Sequence, residues 1–313
     1  MTQPIVVVAE QLQQPALDLL AQHAHIVHAT PETVAGVIAD ADGLVVRTYT
    51  QVNDALLAAA PKLKVVARAG VALENVDVLA CRARGVEVVH TPAANTLAVV
   101  DYVTRMLVEL NRRFWPITAA ITPEEFHASR SQTYGRFLAD CTLGIIGAGR
   151  IGSRVGRVAA ALGMTVLVND IRAIELDYPH EIVEKSELYR RSDIITIHTP
   201  LTELTRHLIC DDTLAQCKPG VQIINAARGG CVDYPALARA VASGHVSGAA
   251  IDCHDPEPIP ADYPLLGLEN VILTPHAAAC VPAAKLRMSM VVTDVIKVLH
   301  GEAPDYPAEE GSF

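Results

Sequence analysis

The nine residues GIIGAGRIG, 144–152, decide how the rest of the chain is read. Gly147, Gly149 and Gly152 fit the spacing G-x-G-x-x-G. In that pattern the first glycine makes a tight turn, the second lets a pyrophosphate approach the backbone, and the third packs a helix on a strand. The same spacing also occurs in plain strand-to-helix turns, so the context has to carry the reading. A β-branched run, LGIIG (143–147), precedes the loop, and an alanine-rich helical stretch, 151–161, follows it. The N–H groups at the start of that helix suit an anion. The next run, MTVLVND (164–170), ends on Asp170, near the offset of about 20 residues at which an acid meets the ribose hydroxyls of a dinucleotide. An acid there repels the extra phosphate of NADP, which favours NAD. Arg172 works against that preference, because a guanidinium can pair with such a phosphate.

Working outward, short β-branched runs alternate with alanine- and leucine-rich helical stretches, as in parallel α/β sheets. One series reads IVVVAE (5–10), HIVHAT (25–30), GLVVRT (43–48), KVVARAG (64–70) and VEVVHTP (86–92), with helical stretches near 14–22, 54–60 and 75–84. The other reads LGIIG, MTVLVND, DIITIHTP (193–200), VQIINAAR (221–228), GAAIDC (248–253) and NVILTPH (270–276). Only the second opens with the glycine pattern. A helical pattern over 95–114, with Asn95 as its cap, leads from one series to the other, and a second over 282–301, with Gly301 as its stop, leads back. The predicted fold is therefore α/β, with two doubly wound parallel-sheet domains and a cleft between them. The first domain is discontinuous, 1–96 with 282–313, and the second is a Rossmann domain over 97–281. The end, APDYPAEEGSF, reads as a loose tail.

Composition narrows the function classes. Half of the 313 residues are hydrophobic and only 4% aromatic, which favours helices on sheets over aromatic-rich sandwiches. A formal net charge of −10 argues against broad nucleic-acid binding. Seven cysteines without a C-x-x-C pair read as reduced thiols in a cytoplasmic protein. The start lacks a basic n-region, and no apolar run reaches the ~18 residues of a membrane span, so neither a signal peptide nor a membrane partner is expected. The histidines of HAHIVH (23–28) invite a metal reading, but strand alternation sends His25 and His28 to opposite faces, and no metal site is expected.

In wound sheets ligands bind beyond the carboxyl ends of the strands, and three successive strands of the second series carry Arg228, Glu257 and His276 to that edge. Singly each has an ordinary explanation: a local pair, a solvated loop acid, a satisfied loop histidine. Together they fit reduction of a 2-keto acid. A guanidinium fork holds the carboxylate or carbonyl oxygen, an imidazole exchanges the proton, and a carboxylate orients the imidazole and favours its charged form.

At this point the chain resembles the D-isomer-specific 2-hydroxyacid dehydrogenases over nearly its full length. The resemblance rests on RAGVALENVD (68–77), PAANTLAVVD (92–101), GIIGAGRIG, HTPLTELTRHLI (198–209), NAARGGCVD (225–233), DCHDPEP (252–258) and VILTPH (271–276). It implies a flavodoxin-like substrate domain beside the Rossmann domain, the catalytic set Arg228, Glu257 and His276, and a homodimer. It maps NAD contacts to Gly149, Arg150, Ile151, Asp170, Thr199, Pro200, Thr205, Ala226, Asp252 and His276, with Asp252 by the nicotinamide carboxamide. It maps the loop that takes the substrate carboxylate through backbone N–H groups to Ala69, Gly70 and Val71. Ala72, Asp101, Tyr234, His254 and Ala279 depart from the family's usual residues, which bears on substrate shape and rate more than on reaction type.

The substrate expected is a small anionic 2-hydroxy or 2-keto acid. Arg47 and Arg68 end strands of the first domain and Arg130 lies before the cofactor domain. In the phosphoglycerate dehydrogenase branch, which the stretch 45–70 is similar to, basic residues near these places bind the substrate phosphate. Asn95 joins this substrate set. Local ion pairs are the ordinary alternative for the arginines. Glyoxylate or hydroxypyruvate reduction remains open, as does an NAD(H)-sensing, corepressor-like protein without turnover.

Overall fold

Runs of valine and isoleucine that are apolar on both faces form parallel strands covered by helices on either side. The computed structural model describes residues 3–112, 116–131 and 135–309. Its contacts divide the chain into two compact units, Met1–Leu97 with Ala279–Phe313, and Ala98–Ala278. These boundaries differ by one residue and by three from those expected.

The first unit contains β1 (Ile5–Val8), α1 (Gln14–Ala21), β2 (His25–His28), β3 (Gly43–Val46), α2 (Asp54–Ala58), β4 (Val65–Arg68), α3 (Val78–Ala83) and β5 (Glu87–His90). The strands make one parallel sheet in the order β2-β1-β3-β4-β5. Alternation along β1 sorts the two layers. Val7 packs with Leu57 and Cys81 of α2 and α3, while Val6 and Val8 pack with Ala16 and Leu20 of α1. Each such fully buried aliphatic side chain contributes roughly 1.5–3 kcal/mol. Asn53 Oδ1 accepts the Leu56 N–H to cap α2, and Asp77 Oδ1 accepts the Ala80 N–H to cap α3.

The second unit follows with α4 (Thr96–Asn111), which straddles the boundary, then α5 (Pro123–Ser131), β6 (Thr142–Ile146), α6 (Gly152–Ala161), β7 (Thr165–Asn169), β8 (Glu181–Ile182), α7 (Lys185–Arg191), β9 (Ile194–Ile197), α8 (Asp211–Leu214), β10 (Val221–Asn225), α9 (Tyr234–Ala242), β11 (Val246–Ile251) and β12 (Val271–Leu273). The sheet order is β12-β11-β10-β9-β6-β7-β8, all parallel. Leu143 and Ile145 pack against Val155 and Ala159 of α6 and Val103 and Leu107 of α4. Ile195, Ile197 and Ile223 pack against Leu188 of α7 and Leu237 of α9 on the other face. The helical pattern expected to reach 114 ends at Asn111, and residues 113–115 lie outside those described.

Two expectations are corrected at the end of the chain. The single helix over 282–301 is two, α10 (Pro282–Ser289) and α11 (Val292–Leu299). At the break the buried Ser289 hydroxyl donates to Lys285 O and accepts the Gln13 N–H, so its bonds run to α1's leading residue as well as to its own helix. The tail is not loose throughout. Ala308 N–H donates to Val88 O and His90 N–H to Tyr306 O, while Asp294 accepts from Asp305 and Tyr306. Among the described residues no helix is long and apolar enough to cross a membrane.

Candidate active site

In the second unit every residue expected to meet cofactor or substrate chemistry at a strand end lies just past the carboxyl end of its strand. Chain order reverses between β6 and its neighbour β9, which makes this edge the topological switch point where such sheets bind ligands. The glycine loop follows β6. Gly147 has φ +92, and a Cβ there would lie 2.8 Å from His198 O. A Cβ on Gly152 would lie 2.0 Å from Gly147 O, so the loop and the start of α6 need glycine at both places. Gly149 is different: its φ is ordinary, and a Cβ would meet only the Arg172 guanidinium at 3.7 Å. Neither packing nor backbone requires glycine there, which leaves close approach by a bound group as its use.

Asp170, after β7, accepts the Ala148 N–H at 2.8 Å and the Arg172 N–H at 2.9 Å, with Arg172 Nε at 3.3 Å. Burial would raise its pKa, but the bonds from Arg172 and Ala148 outweigh it and hold the carboxyl below the usual range. The acid thus ties the glycine loop to its own strand end. Thr199 and Pro200 follow β9. Thr205 Oγ1 donates to Pro200 O at 2.6 Å and closes that loop. Arg150 is exposed, and Ile151 and Ala226 are half-buried.

Glu257 and His276, nineteen residues apart in sequence, meet: His276 Nδ1 lies 2.9 Å from Glu257 Oε2 and 3.2 Å from Oε1. The His276 side chain is 48% exposed and that of Glu257 37%, so the pair faces solvent on one side. Hydrogen bonds with the Cys253 thiol and then with Glu257 push His276 up to about 10. Burial pushes the Cys253 thiol itself up, so at neutral pH the thiol is a neutral partner and Glu257 is the charged one. Glu257 is correspondingly held below its ordinary value: burial raises it, but the bonds from His276 and the His254 N–H prevail.

His276 has φ +51, a strained backbone for a residue with a side chain. The buried Asp252 carboxylate holds the strand-end segment in place. Oδ1 accepts the Thr274 hydroxyl at 2.6 Å and the Ala277 N–H at 2.7 Å, and Oδ2 accepts the Ala278 N–H at 2.9 Å. Tyr102 extends this chain with its hydroxyl 2.7 Å from Thr274 Oγ1. Arg228 follows β10, half-buried, and its guanidinium is near enough to stabilise the Cys253 thiolate form. Its main chain is set by Asn225, whose amide donates to Arg228 O at 2.9 Å.

Two of the sequence departures explain each other. His254 packs edge-on against Tyr263 and tilted against Tyr234, its ring nitrogens bonding Tyr263 Oη at 3.1 Å and Thr274 O at 2.9 Å. The Tyr234 hydroxyl donates to Cys253 O. The group is tied to the catalytic candidate through the His254 N–H, which donates to Glu257 Oε1 at 2.7 Å.

In the first unit, Arg47 and Arg68 end adjacent strands, with Val46 of β3 paired to Arg68 of β4. Four N–H groups, from Arg47 to Thr50, donate to the Glu10 carboxylate at 2.8–3.2 Å, and Asn75 donates to Arg47 O. The expected donor set at 69–71 is corrected: Ala69 N–H is spent on Val46 O and Gly70 N–H on Arg68 O, which leaves Val71. Asn95 is half-buried just before α4, and Arg130 is exposed on α5 in the other unit. Glu10, Asn75, Asp252's bracing role, Asn225, Tyr102 and Cys253 are the residues of interest that sequence reasoning did not find. The one signal available for Cys253 is its place between Asp252 and the loop of Glu257.

Residues 104–278 match the family model "D-isomer specific 2-hydroxyacid dehydrogenase, NAD binding domain". The chain is 39% identical over 312 residues to D-3-phosphoglycerate dehydrogenase of Mycobacterium leprae, covering 96% of this chain but 58% of that protein's length. It is 36% identical over 272 residues to hydroxypyruvate reductase of Thermotoga maritima, covering 86% of this chain and 88% of the other. The solved structure of the TT0316 protein from Thermus thermophilus superposes with a TM-score of 0.85 at 32% identity, over 97% of this chain and all of that one. A match across more than half of the sequence places this protein in the D-isomer-specific 2-hydroxyacid dehydrogenase family.

Proposed function

We propose that the chain is an NAD-dependent oxidoreductase that interconverts a small D-2-hydroxy acid and its 2-keto acid. The observation that carries this reading is the 2.9 Å contact between His276 and Glu257 at the edge where the glycine loop also lies. NAD would be held by the backbone of Gly149–Ile151, with Asp170 toward the ribose and Thr199, Pro200, Thr205, Ala226 and Asp252 along its length. Bound NADH supplies the hydride. Arg228 holds the carboxylate or carbonyl oxygen through its planar fork and offsets the charge that develops on that oxygen. His276, kept charged and oriented by Glu257, gives its proton to the carbonyl oxygen in reduction and takes it back in oxidation. We assign the first unit to substrate recognition, with Arg47, Arg68, Val71 and Asn95 as the groups that meet the anion and Arg130 as a further cation. Family resemblance and the seven free thiols support a cytoplasmic homodimer.

Two substrate readings stand. The adjacent Arg47 and Arg68 strand ends and the likeness to D-3-phosphoglycerate dehydrogenase favour a phosphorylated three-carbon acid. The chain spans little more than half of that relative's length. Its 36% identity to the hydroxypyruvate reductase of Thermotoga maritima favours an unphosphorylated acid. A panel of 3-phosphohydroxypyruvate, hydroxypyruvate and glyoxylate, assayed with NADH and with NADPH, separates them. Preference for the phosphorylated acid that disappears in Arg47→Ala selects the first. Equal turnover of that acid by the variant refutes it, and no turnover with any keto acid refutes the enzyme reading in favour of an NAD(H) sensor.

A further inference from the structure

We propose that Cys253, Glu257 and His276 form a site for a soft divalent cation of the Zn2+ type, and that occupation of this site switches the proton donor off. One ligand atom from each, sulfur, carboxylate oxygen and imidazole nitrogen, lies within 4.8 Å of the other two. That donor set is the one zinc selects, and it leaves a fourth position for water or a substrate anion. Bonds of about 2.0–2.3 Å in a tetrahedral site put ligand atoms roughly 3.3–3.8 Å apart. No pair therefore has to close by more than about 1–1.5 Å.

The means to close are present. Cys253 is buried and fixed at the end of β11, with its thiol 3.4 Å from Ala227 O. Glu257 and His276 are each more than a third exposed and can turn toward it. The His254 N–H already holds Glu257 Oε1 at 2.7 Å, the kind of supporting bond that orients a metal-binding carboxylate. In the proposed hydride chemistry Cys253 serves only as a neutral hydrogen-bond partner of His276, a task that does not require sulfur.

Binding exchanges two protons for the metal: the Cys253 S–H and one N–H of the His276 imidazolium break, S–metal and N–metal bonds form, and both protons leave to solvent, with no change of oxidation state. The imidazole is then a neutral ligand, and the N–H left on its other nitrogen is far too weak an acid to replace the imidazolium as proton donor. The inhibition rests on the dehydrogenase reading; the metal binding does not.

The probe is Co2+, titrated into the purified full chain without cofactor. One Co2+ per chain is expected, with a thiolate-to-cobalt charge-transfer band in the near ultraviolet and the visible bands of a tetrahedral ion. The charge-transfer band is expected to vanish in Cys253→Ser and to persist in Cys210→Ser and Cys280→Ser. Absence of the band in the parent chain, its survival in Cys253→Ser, or its loss in Cys280→Ser overturns the site. Should Cys253→Ser misfold, His276→Asn and Glu257→Gln serve instead, and full Co2+ stoichiometry in either is equally fatal. Zn2+ is expected to inhibit keto-acid reduction reversibly, with EDTA restoring it, and to need at least about tenfold more metal in Cys253→Ser. Unchanged sensitivity of that variant overturns the switch. An intact Co2+ band in a chain that reduces no keto acid sinks the dehydrogenase reading and leaves the metal site standing.

Discussion

Replacing Glu257 by glutamine removes the charge that holds His276 protonated while keeping the side chain's shape. One amide oxygen remains for the His254 N–H or the imidazole, so the loop keeps a partner. With charge centres about 4 Å apart, the attraction lost is about 1 kcal/mol in water and about 4 kcal/mol at an effective dielectric of 20. Both side chains are more than a third exposed, so the lower part of that range applies, about 1.4–2.8 kcal/mol. At about 1.4 kcal/mol per unit, the imidazole moves down by roughly one to two pH units from its starting point near 10. Reduction needs the protonated ring, so kcat/KM for the keto acid falls as pH rises through this pKa, and the variant loses activity one to two units earlier. Oxidation needs the neutral ring, so its rising limb moves the same way and the variant gains relative rate near pH 8. Following NADH absorbance in both directions across roughly pH 6–10 reads both limbs. The pair's raised pKa also stabilises the fold below the unfolded value near 6.5, a contribution lost as pH rises through 10. For a half-exposed pair this is at most the same ~1.4–2.8 kcal/mol, so Tm of the variant should fall by at most several degrees near neutral pH and hardly at all near pH 10. Superimposable profiles, or limbs that move in opposite directions, would refute the Glu257–His276 mechanism.

Three other substitutions test separate parts of the site. His276→Asn should lower the reduction rate about 10²–10⁴-fold while NADH affinity, read by fluorescence, stays within a few-fold; unaltered turnover removes the histidine from the chemistry. Gly149→Ala should leave Tm unchanged and weaken NADH binding, whereas Gly152→Ala, whose Cβ would sit 2.0 Å from a carbonyl oxygen, should destabilise the protein first. Equal thermal losses in the two would contradict the open approach assigned to Gly149. Asp252→Asn turns an amide N–H toward one of the three donors the carboxylate now accepts, at about 1–3 kcal/mol, and should lower Tm by about 2–4 °C per kcal/mol in thermal melts.

The strands were legible because parallel strands buried on both faces must be apolar along their whole length, and the β-branched runs mark them. The exception, β8, is two exposed residues at a sheet edge, with Ile182 57% exposed and no run to find. Arg228, Glu257 and His276 could be placed at one edge because strand order alone brings strand ends together. Their contacts were another matter. Whether the imidazole reaches the carboxylate depends on the +51° backbone of His276, which no residue in TPH announces. Gly70 and Ala69 were expected as donors to substrate, yet β4 and its neighbour claim both N–H groups, because strand ends satisfy their own backbone first.

Glu10 and Asp252 show why such sites are only half readable from sequence. A loop that leaves a sheet edge carries backbone donors with no ladder to join, and each must find an acceptor. A carboxylate offers about four lone-pair sites, so one side chain can do the work of a turn. Glu10 takes the four N–H groups of the Arg47 loop, and although its burial costs free energy, those bonds hold its pKa below the ordinary range. Asp252 does the same for the segment around His276, with two N–H groups and a hydroxyl. Glu10 lies 37 residues before the first N–H it accepts and Asp252 lies 25 before Ala277, so neither is a local signal. In both units an acid, half-buried Glu10 in one and buried Asp252 in the other, thus takes the place of regular structure and braces a loop. In the proposed mechanism the proton donor has to be held within about half an ångström to act, which would make the acid that braces its segment a positioning residue for the imidazole.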